Sequence, residues 1–135
     1  MNIRFVAGFA PIVTDLDKSR TFYKDLLSVP IEFEEGNDYT ATDELDGLKH
    51  FGLWTLRDAA RSVFDQDEWP QDVSVPQGTI EFDVDDVAEA VSELKAKGAE
   101  ILQDTRVEPW GQTTARLLSP EGLLIGITYT PWMRG

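Results

Sequence analysis

The stretch Thr79-Ile-Glu-Phe-Asp-Val84 alternates polar with apolar side chains, and two of its polar residues are carboxylates two positions apart. Alternate residues of an extended strand share a face. Thr79, Glu81 and Asp83 therefore point one way, while Ile80, Phe82 and Val84 pack the other. Two carboxylates on a partly enclosed face would attract a cation, or hold one acid at a raised pKa for proton transfer. The same parity between residues 48 and 55 puts Leu48, His50, Gly52 and Trp54 on one side. There Trp54 is a candidate aromatic wall and His50 a candidate hydrogen-bond donor or base. Further along, Thr114, Arg116, Leu118, Leu124 and Thr128 share the inward parity. Arg116 could neutralise Glu81 or Asp83, which would weaken both the cation and the proton-transfer readings. Trp110, in the Glu108-Pro-Trp-Gly111 loop, offers a large apolar face with one polar handle, suited to a ligand or a partner chain.

Other chemistry is missing from the chain. It has no cysteine and one histidine, so thiolate sites, disulfides and zinc spacings are absent, and no phosphate-binding glycine loop occurs. A net charge of −13 opposes nucleic acid and anionic membrane surfaces, and no apolar stretch approaches the ~20 residues that span a bilayer. A cytoplasmic protein is the simplest expectation, and cationic small molecules are allowed partners.

The elements that must position these side chains come from a repeat. Shifting the chain by 71 residues lays Gly8-Phe-Ala-Pro-Ile-Val-Thr-Asp-Leu16 on Thr79-Ile-Glu-Phe-Asp-Val-Asp-Asp-Val87. Each copy is an apolar strand running into an aspartate that caps a helix. In the first copy the spacing predicts a helix from Leu16 to Leu27 with Leu16, Ser19, Tyr23 and Leu26 near one face, stopped by Pro30. Short strands follow at 31–35, 39–42 and 48–55, and residues 56–64 suit a short helix. Residues 65–78 read as a polar, proline-punctuated linker. In the second copy the strand 79–84 leads to a helix ended by Gly98, then to strands at 99–102, 113–118 and 123–130, with a separate strand near Arg106-Val107 as a variant. The expected fold is α+β: one domain, 1–135, built from two βαβββ modules at 1–64 and 79–135. They would form a curled eight-stranded mixed sheet around a concave pocket.

This order of elements, with Val13-Thr-Asp-Leu-Asp17, Phe22-Tyr23, Val84-Asp-Asp-Val87, Ala96-Lys-Gly98, Trp110-Gly111 and Ser119-Pro-Glu-Gly122, resembles the vicinal oxygen chelate superfamily. That superfamily includes glyoxalase I, extradiol dioxygenases and the fosfomycin- and bleomycin-resistance proteins. The resemblance implies a pocket between two sheets and a homodimer. It also implies metal ligands, usually His, at the positions of Gly8 and Thr79, and carboxylates at those of Gly52 and Gly126. Three glycines and a threonine cannot supply that set. The expectation is thus a protein without metal or other cofactor, sequestering a planar, cationic ligand such as an antibiotic. His50, Trp54, Thr79, Glu81, Asp83, Trp110 and Arg116 would line its site. The alternative is a cofactor-free isomerase or lyase in which Glu81, Asp83 or His50 moves a proton.

Overall fold

The computed structural model describes residues 1–134. Its strands are β1 (Phe5–Val13), β2 (Glu32–Phe33), β3 (Thr40–Thr42), β4 (Phe51–Thr55), β5 (Gly78–Asp83), β6 (Gln103–Val107), β7 (Thr113–Leu118) and β8 (Leu124–Tyr129). They form one mixed sheet in the order β2-β3-β4-β1-β5-β8-β7-β6. The first four strands are one βαβββ half and the last four the other. They meet along an antiparallel β1–β5 seam, where Gly8 pairs with Glu81, Phe9 with Ile80 and Ala10 with Thr79. The sequence repeat superposes Phe9 on Ile80, the two residues that face each other there. The approximate twofold relating the halves therefore passes through this pair.

Side-chain caps start each α-helix. Asp15 accepts from the Lys18 amide at 3.1 Å to open α1 (Leu16–Arg20), and Asp86 accepts from the Glu89 amide at 3.0 Å to open α3 (Val87–Ala96). The first helix does not stay regular: from Thr21 to Leu26 it widens into a π-helical turn. Thr55 caps α2 (Leu56–Phe64). Gly98 ends α3 at φ +89°, a conformation that side chains with a Cβ resist.

Two expected strands sit elsewhere. Residues 99–102 do not form a strand; the chain leaving α3 pairs with β7 only from Gln103 to Val107, around a register irregularity. The strand expected at 48–55 begins only at Phe51, after the Gly47 turn at φ +88°.

Two small cores lie under the helices of the repeat. Val13, Ile31 and Leu53 pack beneath the first helix with Tyr23 and Phe51. Val84, Val87, Ala90, Val91, Ala115 and Ile127 pack beneath α3. A third core was not expected from the strand pattern. Helix α2 lies against Ile12, Trp54, Leu118 and Leu124, which carry the inward parity, and adds Ala59, Ala60 and Val63, while Trp69 closes the cluster. Part of the concave face is thus filled by the chain's own apolar residues. Trp69 is held in place because its indole N–H donates to the Val73 and Ser74 carbonyls at 3.1 Å each. Among the described residues, no helix is long and apolar enough to cross a membrane.

Candidate functional site: a glycine-floored cleft

The unfilled remainder of the concave side is a cleft of about 1200 Å³. Of the residues expected there, His50, Trp54, Thr79, Glu81, Trp110 and Arg116 all line it. Asp83 does not, and that expectation is corrected. Its side chain is 0% exposed and is consumed at the end of the sheet by the C-terminal segment. The Thr130 amide donates to it at 2.9 Å, and the Arg134 guanidinium donates from Nε at 2.9 Å and from a terminal nitrogen at 2.5 Å. A strand's parity gives a face but not what lies on it, and the tail folds back over this end.

Strand register sets the floor. Glu81 pairs with Gly8 on one side and Gly126 on the other, Gly126 pairs with Arg116, and Arg116 with Gln103. One residue before the Phe9 and Phe51 pair, His50 lies beside Gly8. A single row across the sheet therefore reads His50, Gly8, Glu81, Gly126, Arg116, Gln103. Its long side chains lean over its glycines. A Cβ on Gly126 would lie 3.0 Å from Glu81 Cγ and 3.2 Å from an Arg116 terminal nitrogen. Over that glycine Arg116 donates to Glu81 Oε2 at 3.3 Å. At the other end the imidazole lies over Gly8 and Gly52, 3.7 Å and 3.6 Å from where their Cβ atoms would be.

Arg116 is buried, with its guanidinium carbon 4.9 Å from the centre of the Trp54 ring. Glu81 also accepts from Gln112 Nε2 at 3.1 Å. Gln112 in turn accepts the Trp110 indole N–H at 2.9 Å and donates to the Thr130 hydroxyl at 2.8 Å. The polar floor is consequently a neutral, hydrogen-bonded network, with Glu81 compensated. His50 Nδ1 lies 2.5 Å from Asp43 Oδ1, so the imidazole has an orienting carboxylate. Tyr39 stacks on it at 6.5 Å, and burial, then the Asp43 charge, pushes its phenol above the ordinary value.

Sequence reasoning missed several lining residues. Glu108 is buried and accepts from Ser62 at 3.1 Å, Thr114 at 2.9 Å and Arg106. Gln112 links the loop tryptophan to the floor. Both leave a loop, where no two-residue period assigns a direction. Trp132 lies exposed at the cleft with Met133, following Pro131. Among the described residues, two buried groups at the cleft lack a partner, the Thr79 hydroxyl and the Arg116 Nε.

The donor set does not fit the divalent ion implied by the resemblance. Gly8, Gly52 and Gly126 bring no atoms, and the Arg116 cation stands over the last of them. Among the described residues no group of three or more His, Cys, Asp or Glu is placed to hold an ion.

Residues 6–130 match the model of a glyoxalase-like domain. The chain belongs to that family. By sequence, no curated protein matches it. Among solved structures, a glyoxalase/bleomycin resistance protein/dioxygenase superfamily member from Vibrio splendidus matches with a TM-score of 0.64 at 18% identity, covering 96% of this chain and 100% of that one. A chain described as an NAD-dependent benzaldehyde dehydrogenase from Legionella pneumophila matches at 0.58 and 17%, covering 90% and 96%. Methylmalonyl-CoA epimerase from Streptomyces coelicolor, in complex with 2-nitronate-propionyl-CoA, matches at 0.57 and 15%, covering 96% of each chain. The glyoxalase-like domain shares the α+β fold of all three, whose different names show that the fold alone selects no activity.

Proposed function

We propose that this glyoxalase-like protein is a metal-free binder of a planar, cationic small molecule, which it sequesters in the cleft as antibiotic-binding members of the superfamily do. The observation that carries this reading is the lining. Trp54 lies within, and Tyr39, Trp110 and Trp132, all more than half exposed, stand at the same cleft. Exposed aromatics converging on one hollow suit a stacked ligand. Each stacking or cation–π contact contributes on the order of 0.5–2 kcal/mol, so several must act together.

Charge selection moves away from the floor in this reading. Glu81 is compensated and Asp83 is remote, so neither supplies the cation's partner. Asp38, Asp58 and Asp65 line the cleft as well, in a chain of net charge −13, and their field favours a positive guest. The test is titration with acridine dyes and bleomycin-type compounds while following tryptophan fluorescence. Quenching that saturates, and weakens in Trp110→Ala, is expected. Silence across planar aromatic cations would overturn the proposal.

A further inference from the structure

Trp132 is the most exposed of the four tryptophans, yet the chain on both sides of it is tied down. Before it, Thr130 is fully buried; its amide donates to Asp83 at 2.9 Å and its hydroxyl accepts from Gln112 at 2.8 Å. After it, the Arg134 guanidinium donates to Asp83, to Asp85 Oδ1 at 2.6 Å and to the Val84 carbonyl at 2.6 Å. Its central carbon lies 4.8 Å from the centre of the Tyr129 ring. Between these anchors the chain makes one 3-10 turn, Pro131–Met133, in which the Met133 amide donates to the Thr130 carbonyl and the Arg134 amide to the Pro131 carbonyl. The proline fixes its own φ, so little freedom is left to this strap.

Covering Asp83 does not by itself call for a tryptophan here. An indole that served only packing would take its large apolar area out of water. Trp132 instead lines the cleft with its ring 59% exposed, and among the described residues it pairs with no other aromatic. A ring held in place with nothing stacked on it is preorganised, so a guest gains the contact without the cost of ordering it. The two anchors differ in access. Thr130 is enclosed, whereas the Arg134 side chain is 24% exposed and that of Asp85 54%. Arg134 is therefore the end that water can release, with Thr130 as the pivot.

We propose that Arg134 is a positioning residue of the cleft. It latches residues 131–134 so that Trp132 is held against a planar guest, and the guest in turn keeps the latch closed. The inference rests on the reading that planar molecules enter the cleft. Opening the latch removes one stacking face, which corresponds to about a 3- to 10-fold loss of affinity. Because the coupling is reciprocal, a bound guest should favour the closed latch by the same factor.

Four tryptophans give four indole N–H signals in ¹⁵N NMR, and Trp132→Ala identifies the one from Trp132. In Arg134→Gln that signal should acquire the nuclear Overhauser effect of a freely moving side chain, with Arg134→Lys in between. The Trp69 signal, tied to the Val73 and Ser74 carbonyls, should stay rigid throughout. A Trp132 signal equally mobile with and without Arg134 would overturn the latch with no guest in the sample. Acridine affinity, read by fluorescence, should fall about 3- to 10-fold in Trp132→Ala, equally in Arg134→Gln, and no further in the double variant. Arg134→Gln leaves Asp83 buried without a cation, so the pair Asp83→Asn with Arg134→Gln, which lacks both charges, guards against simple unfolding and should bind as weakly. Native affinity in that pair, or additive losses from Trp132→Ala and Arg134→Gln, would sink this inference and leave the binding reading standing. If the native protein does not bind acridine, the binding reading fails and the inference fails with it.

Discussion

The Glu81 and Arg116 pair should respond unequally to losing one or the other partner. The Arg116 side chain is 1% exposed and that of Glu81 20%. Glu81→Gln strands a fully buried cation that keeps its stacking on Trp54 but no countercharge. Breaking a buried pair from one side costs about 3–5 kcal/mol, and the amide oxygen left by the substitution places this case near the low end, about 3 kcal/mol. Arg116→Met strands a carboxylate that still reaches water and still accepts from Gln112, so about 1.5–2 kcal/mol is expected. The double variant removes both charges and should cost less than the sum by about 2 kcal/mol. In urea, with a slope near 2 kcal/mol per molar for a chain this size, the midpoint should fall by about 1.5 M in Glu81→Gln and by no more than about that in the double variant. Additivity within about 0.5 kcal/mol, or a larger loss in Arg116→Met than in Glu81→Gln, would refute the assignment of Arg116 as the buried member needing compensation.

Gly126→Ala tests the close packing over the same glycine. Its methyl would meet Glu81 Cγ at 3.0 Å and Thr128 Cγ2 at 3.3 Å, so a loss of about 1–3 kcal/mol is expected from overpacking, read by thermal unfolding. Stability should also fall in acid. Asp85 is held below its ordinary value by hydrogen bonds from Arg134 and Arg4, Asp67 by one from Arg61, and Asp104 by one from Lys95. Each depressed carboxylate contributes stability that is present above its unfolded value of 3.8 and is lost as the pH falls through the lower folded value. Urea midpoints should therefore drop below about pH 4, and less steeply in 0.5 M salt because these ion pairs face solvent. A flat profile would contradict those pairings.

Much of this arrangement was legible in the sequence, and the exceptions have physical reasons. The two aspartate caps, the strand-to-helix repeat and the inward parity of Thr79, Glu81, His50 and Trp54 follow from local periods, and the structure keeps them. The fate of Asp83 does not, because its partners Thr130 and Arg134 lie about fifty residues away. Nor does the filling of the concave face by α2. Its alanines announce close packing but not against which surface, and Leu118 and Leu124 had the correct parity for either a ligand or a helix. Residues 99–102 are apolar enough for a strand, yet β7 offers its ladder one step later. Asp43 lies in an irregular segment before β4, so no pattern foretold that it would orient His50.

The row from His50 to Gln103 also limits how this protein can change. Each long side chain occupies room that the adjacent glycine has vacated, so the two positions behave as one unit of variation. A carboxylate at Gly126 would have to displace Glu81 or Arg116, and a histidine at Gly8 would have to displace His50. A metal centre and the present floor are therefore alternative fillings of the same space. Passage between them requires paired substitutions, and the single-step intermediates would be crowded or hollow.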